Sequence, residues 1–281
     1  MKFIDKITSR LDSINSHVCV GLDSNYERIP EILKKSKSVS QTIFDFNKNV
    51  ILATHNVAIA YKINLAFYAG FGAEGLEGLR LTNHYLKKHY TDIPILADCK
   101  RSEMGESVKM LRQEIVDWLG FDCIMITPWF GFDTVKDLLH DSSLGVCIFV
   151  HDSNPTAAEF QDLELTNGKH LYEEVTEHVV KSWNTNGNIF VEAGATYPKQ
   201  LRRVRQIVGN NMVILTAGVG AQGGKAEDVT GIFGKDGKRL LVNSSRGIIF
   251  AGEGKRDYFL AVKEAAEKLR KNLLGISLLR L

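Results

Sequence analysis

In the string ILADCKRSEMG, Asp98 and Lys100 stand two residues apart, and Glu103 follows three positions later. A carboxylate held beside an ammonium in a partly dry pocket keeps both ionised, because each charge favours the charged form of the other. The pair is a poised electrostatic device. Asp23 in GLD and Lys62 in AYKINLAFY add a second acid and a second base. A plain ion pair at a protein rim needs only Asp98 and Lys100. Four isolated charges would each cost desolvation, whereas an alternating network of acids and bases offsets that cost.

A second chemical signal lies near the C-terminus. Gly218, Gly220 and Gly223, with Gln222 between the last two, match G-x-G-x-x-G, which taken alone suggests a dinucleotide site. No acidic residue ends a strand about 20 positions later to hold a ribose, so that reading is poor. The next strand-like run leads instead into Ser244-Ser245-Arg246-Gly247. Gly218, Gly220 and Gly247 permit close backbone approach, and Arg246 can grip a phosphate through two parallel hydrogen bonds. Tight turns and a surface arginine are the plainer alternative, but both loops qualify together, as the phosphate loops of a barrel do.

These residues need a scaffold that carries them to one place. Eight short apolar runs rich in β-branched residues recur along the chain, at 17–23, 57–64, 94–100, 122–127, 145–151, 188–193, 212–217 and 239–243. Helical spacing fills the intervals at 74–89, 104–119 and 199–208, and a further helix is expected at 258–273. Strand-helix alternation implies a parallel sheet with right-handed crossovers. Eight units fit an α/β fold of the (β/α)8 or TIM-barrel type, one domain over residues 1–281. A doubly wound open sheet alternates in the same way. Asp23, Lys62, Asp98 and Lys100 all fall at the C-terminal ends of runs, the rim where barrel enzymes assemble their sites, and this favours the barrel. Asp98 and Lys100 should both face the mouth as alternate strand residues, with Cys99 turned to the helices.

Composition sets the outer limits. The chain of 281 residues has 35 basic and 33 acidic side chains, a formal charge of +2, so no global field draws nucleic acid or anionic lipid. Basic residues are dispersed without an aromatic-basic stripe, which also argues against a nucleic-acid partner. The first residues, MKFIDKITSRLDSI, read as an amphipathic helix and not a signal peptide, and no apolar run is long enough to span a membrane, so a cytoplasmic protein is expected. Cys19, Cys99, Cys123 and Cys147 lie in apolar runs without C-x-x-C spacing and read as reduced core residues.

The segments GLDSN, YKINLAFYAGFG, ILADCKRSEMGES, HDSNP, VEAGAT, LTAGVGAQGG and VNSSRGI together span residues 20 to 250. In order and spacing the chain resembles the orotidine 5'-monophosphate decarboxylases, in particular their longer, type 2 branch. The resemblance implies cofactor-independent and metal-free conversion of orotidine 5'-monophosphate to uridine 5'-monophosphate in pyrimidine biosynthesis. It implies a Lys-Asp-Lys-Asp array in which Lys62 holds the ribose and the neighbouring carboxylate, Asp98 faces the substrate carboxylate, and Lys100 donates the proton. Asp23 would bond the ribose, Ser153 would read the pyrimidine edge, Gln222 would bridge phosphate and base, and Gly220, Arg246 and Gly247 would hold the phosphate. The last acid of the array, here Glu103, would come from the other subunit of a homodimer with shared sites, and Ser107 would contact the ribose across the same interface. A carbanion at carbon six has no cofactor sink, so fixed charges must stabilise it.

The sequence departs from the family pattern at three places. Glu103 stands where the family has Asp, and the extra methylene moves the carboxylate by about an ångström or more, an error that can cost about a hundredfold. Either the backbone adjusts to present Glu103, or the chain is an impaired relative. Ala217 replaces a common proline, and His151-Asp152 precede Ser153 where the family often has Lys-Thr. Two rival readings follow. One is a sugar-phosphate decarboxylase or aldolase of the same barrel group, which needs a divalent metal and keeps Glu192 in view as a ligand. The other is a nucleotide-binding barrel without turnover.

Overall fold

The structure, a computed structural model, describes residues 1–219, 226–229, 231–234 and 237–278. All eight apolar runs form strands, the fifth over its whole length, the eighth shifted one residue onward, and the others trimmed by a residue or two. They are β1 (Val18–Gly21), β2 (Ala58–Asn64), β3 (Ile95–Asp98), β4 (Cys123–Ile126), β5 (Gly145–His151), β6 (Ile189–Ala193), β7 (Ile214–Thr216) and β8 (Leu240–Ser244). Every neighbouring pair is parallel, and β8 pairs with β1 to close the barrel. The open-sheet alternative is thereby removed.

Alternation along each strand divides the apolar residues between two cores. Cys19, Leu96, Cys123, Cys147, Phe190 and Leu241 pack inside the barrel with Phe3, Ile7 and Leu11 of the helix Phe3–Ile14, which plugs the N-terminal end of the strands. Gly145, the first residue of β5, has to be glycine there, because a Cβ would sit 2.3 Å from the Phe3 ring. Val20, Ile63, Ala97, Ile124, Ile148, Val191 and Val242 face outward against the helices.

The helices Gly72–His89, Pro198–Val208 and Tyr258–Leu278 lie where apolar spacing placed them. The expected helix at 104–119 begins at Glu106 and widens its turn over Gln113–Trp118, keeping Val108, Leu111, Ile115 and Leu119 buried. Among the described residues, two helices of eight or more residues were not anticipated. Val39–Thr54 starts where Ser38 accepts a hydrogen bond from the Gln41 amide, and Leu171–His178 starts where the Glu173 carboxylate accepts from the His170 amide. Both are side-chain caps that satisfy otherwise orphaned amides.

Inside the barrel the chemistry changes abruptly toward the C-terminal rim. Ala60, Leu96, Phe190 and Leu241 fill the interior, and two residues beyond each stand Lys62, Asp98, Glu192 and Asn243. With a side-chain period of two, these four polar groups point into the same space as the apolar residues beneath them. The eight strands thus hold a polar layer on an apolar floor.

Candidate active site

Asp98 is the hub of that layer. It is 2% exposed and accepts hydrogen bonds from two ammonium groups, Lys62 Nζ on Oδ2 and Lys100 Nζ at 2.6 Å from Oδ1 and 2.8 Å from Oδ2. Burial works against the Asp98 carboxylate, but Lys62 and Lys100 outweigh it and hold its pKa below the usual carboxylate range. Burial also works against the Lys62 ammonium, and Asp98, Asp23 and Glu192 together hold its pKa above the ordinary lysine value. Asp98 and Lys62 therefore stay ionised together.

Lys100 reaches Asp98 by a route that alternation did not anticipate. Strand β3 ends at Asp98, and Lys100 follows in a left-handed conformation with φ 48°. That turn brings its side chain back over the mouth, with Nζ also 4.6 Å from the centre of the Phe149 ring. Cys99 between them packs toward the helix-facing core, as expected. Unlike Lys62, the Lys100 side chain is half exposed, so it has access to both the cavity and solvent.

The cavity above the array has a volume of about 320 Å³, at the lower end of the range for small-ligand sites. Asp23, Lys62, Asp98, Lys100, Ser153 and Arg246, all singled out in the sequence, line it. Asp23 is fixed by the Asn64 amide, which donates to Oδ1 at 3.0 Å and ties the end of β1 to the end of β2. Ser153 is placed by a close crossing from β6. A Cβ on Gly194 would come 2.7 Å from Ser153 Cα, and Thr196 Oγ1 donates to the Ser153 carbonyl at 2.9 Å.

At the other end, Gly218 has φ 97°, which lets the β7 loop turn along the cavity edge. Ser244, Ser245 and Arg246 face it from β8. Gly21 makes room for them, since a Cβ there would fall 1.8 Å from Ser245 Oγ. Gly247 instead lines an adjoining hollow with Lys255 and Lys268. Gly220 and Gln222 lie outside the described residues.

Glu103 and Ser107 do not join this cavity. Ser107 Oγ donates to Glu103 Oε2 at 2.7 Å and to the Met104 carbonyl at 2.9 Å, on the segment leading into the helix Glu106–Arg112.

Several lining residues escaped the sequence reading. Asn64 closes β2, and Asn243 stands one alternation beyond Leu241, a signal that was available. Asp152 is gripped by Gln161, which accepts from its amide at 2.8 Å and donates to its carboxylate at 2.7 Å. Glu192, considered only as a metal ligand, is 6% exposed, and its Oε2 has no hydrogen-bond partner. Burial, with Asp98 and Asp152 adding to it against the opposing lysines, pushes its pKa up to about 8. Among the described residues no three His, Cys, Asp or Glu side chains are grouped to hold a metal ion.

A family model described as orotidine 5'-phosphate decarboxylase / HUMPS family matches residues 16–258. The chain belongs to this family. Relatives agree over nearly the whole length. The orotidine 5'-phosphate decarboxylase of Christiangramia forsetii is 35% identical over 276 residues, covering 98% of each chain. That of Natronomonas pharaonis is 39% identical over 277 residues, covering 97% of this chain and 98% of its own. Among solved structures, Leishmania donovani OMP decarboxylase matches with a TM-score of 0.83 at 27% identity, covering 99% of both chains. As an orotidine 5'-phosphate decarboxylase / HUMPS family member, the chain carries the expected barrel, and no helix among its described residues is long and apolar enough to cross a membrane.

Proposed function

We propose that this cavity takes orotidine 5'-monophosphate and releases uridine 5'-monophosphate and carbon dioxide, as a carboxy-lyase of pyrimidine biosynthesis. The observation that carries the reading is the buried Asp98 carboxylate held between Lys62 and Lys100 at the wall of a cavity of about 320 Å³.

The phosphate takes the end with Arg246 and the Gly218 turn, and Gly220, Gln222 and Gly247 complete that end by family resemblance. Asp23 and Lys62 meet the ribose, and Ser153 meets the pyrimidine edge. The carboxylate on carbon six then lies against Asp98. Two like charges at that contact disfavour the bound substrate, and the repulsion disappears as carbon dioxide leaves. The bond from carbon six to the carboxyl carbon breaks, and its electron pair stays on carbon six. The lysine ammonium groups are already in place around the developing charge and need no reorganisation. Lys100 gives its Nζ proton to carbon six and, being half exposed, regains one from solvent.

Glu103 and Ser107 belong, in this reading, to the cavity of a second copy in a homodimer. Neither lines the cavity of its own chain, and this supports it. So do the exposed apolar side chains of Met104, Met110, Trp118, Trp129, Phe130 and Phe160, which follow the adjacent strands β3, β4 and β5.

The sugar-phosphate branch of the same family is the competing assignment. It asks for acidic ligands on several strands to hold a divalent cation, whereas both Asp98 oxygens are occupied by lysines and, among the described residues, no three His, Cys, Asp or Glu side chains are grouped to hold one. The discriminating experiment offers chelator-treated protein orotidine 5'-monophosphate in one cuvette and a ketohexose phosphate with added magnesium in another. Loss of the ultraviolet absorbance of the first substrate alone supports the proposal, and turnover of the second alone overturns it.

A further inference from the structure

Glu192 is the one titratable group of the polar layer that the reaction above does not employ. It projects from β6 between Phe149 of β5 and Leu215 of β7, so apolar residues flank it on both sides. Across the barrel mouth the charges that act on it are Lys62 from β2, Asp98 and Lys100 from the β3 end, and Asp152 from the β5 end. No donor reaches its Oε2, although a buried carboxylate normally collects donors on both oxygens.

The charges of this chamber can be summed. Lys62 and Lys100 bring two positive formal charges, and Asp98 and Asp152 two negative, so the groups facing Glu192 already balance. The substrate carboxylate adds a negative charge to this set. An ionised Glu192 would add another beside it, buried between apolar neighbours and uncompensated by any further cation among the groups that act on it.

Building on the decarboxylase reading, we propose that Glu192 is a specificity-determining wall that must be a neutral acid for the chamber to accept the substrate's carboxylate. In its ionised form it excludes that carboxylate while leaving the phosphate, ribose and pyrimidine contacts alone. The burial that raises its pKa to about 8 keeps it protonated at neutral pH. Carboxylated and decarboxylated nucleotides are thereby distinguished by pH: affinity for the substrate falls as Glu192 ionises, and affinity for the product does not.

The test compares wild type with Glu192→Gln, which is permanently neutral and nearly isosteric. Values of kcat/KM for orotidine 5'-monophosphate and inhibition constants for uridine 5'-monophosphate are measured at pH 6.5 and pH 9. Between these points wild type should lose about tenfold more in kcat/KM than the Gln variant, from the neutral fraction of an acid ionising near 8. The two sets of inhibition constants should run parallel. Superimposable kcat/KM profiles overturn the proposal, as does a tenfold divergence that appears equally in product inhibition.

A second readout needs no variant. In wild type carrying carbon-13 glutamate, infrared difference spectroscopy should show a protonated-carboxyl stretch at pH 7 that fades by pH 9. Its absence at pH 7 while the substrate is consumed sinks the Glu192 proposal alone. Its presence in a protein that consumes no orotidine 5'-monophosphate sinks the reaction assignment, and the proposal with it.

Discussion

Lys100 contacts both carboxylate oxygens of Asp98, at 2.6 and 2.8 Å, from a left-handed backbone position just past the end of β3. Lys62 reaches the same carboxylate from the neighbouring strand. One buried acid thus organises two bases of different exposure. Lys62 is locked in place, and Lys100 can exchange its proton with water.

Removing the locked base leaves Asp98 buried with only a half-exposed partner. Lys62→Ala should cost about 3–5 kcal/mol of stability, the usual penalty for stranding one member of a buried ion pair. Urea titration followed by circular dichroism checks this. A loss under about 1 kcal/mol, the range of surface pairs, would show that the Lys62–Asp98 contact is not the buried anchor described.

The two buried acids bias stability in opposite pH directions. Asp98 is held below its ordinary pKa, so its contribution is complete above the unfolded value of about 3.9 and is lost as pH falls through the lower folded value. Glu192 is pushed up to about 8, so the folded protein retains a proton that the unfolded chain releases. Its contribution is full below about 4.3 and is lost as pH rises to about 8. Denaturation midpoints of wild type should therefore decline, relative to those of Glu192→Gln, from pH 5 to pH 8. Equal slopes would contradict the buried, proton-holding environment assigned to Glu192.

Gly21 and Ser245 give a test of the phosphate end. A methyl group at position 21 would overlap Ser245 Oγ at 1.8 Å and crowd its Cα at 3.1 Å. The loop carrying Ser245 and Arg246 must shift, and overpacking of this kind costs about 1–3 kcal/mol. Gly21→Ala should weaken binding of uridine 5'-monophosphate at least tenfold by calorimetry, with little change in binding of uridine. An equal loss for nucleotide and nucleoside would place the damage elsewhere.

Shared sites can be tested by complementation. Lys100→Ala and Glu103→Ala copies, each inactive alone, should recover about a quarter of wild-type activity when unfolded and refolded together, because half the random dimers carry one intact site of two. No recovery would mean that Glu103 does not serve a neighbouring copy.

The barrel and its polar rim were legible because both rest on short-range patterns. Lys62 and Asp98 interrupt apolar alternation at strand ends, and the eight runs carry β-branched residues between helical spacings. What escaped depends on contacts the sequence does not order. The helix Val39–Thr54 is announced by Ser38 and Gln41, a cap whose spacing was present but unread. Lys100 was expected at the mouth by strand alternation and arrives there by a turn. Glu192 was considered as a ligand for a cation, yet its chemistry follows from the apolar neighbours Phe149 and Leu215, which only the strand register reveals. Asp152 joins the cavity wall through Gln161, nine residues away at the end of the one-turn helix Ala158–Gln161, too short to leave a periodic signal.

The most direct test of the central claim is the Lys100→Ala variant, measured for turnover of orotidine 5'-monophosphate and for binding of uridine 5'-monophosphate without added metal. Wild type should decarboxylate the substrate, while the variant loses at least about a thousandfold in kcat and still binds the product within about tenfold of wild type, since Lys100 acts on the developing charge and not on the phosphate or base. Near-normal kcat in the variant, or a loss confined to KM, would contradict Lys100 as the proton donor and the array as the device that drives the reaction.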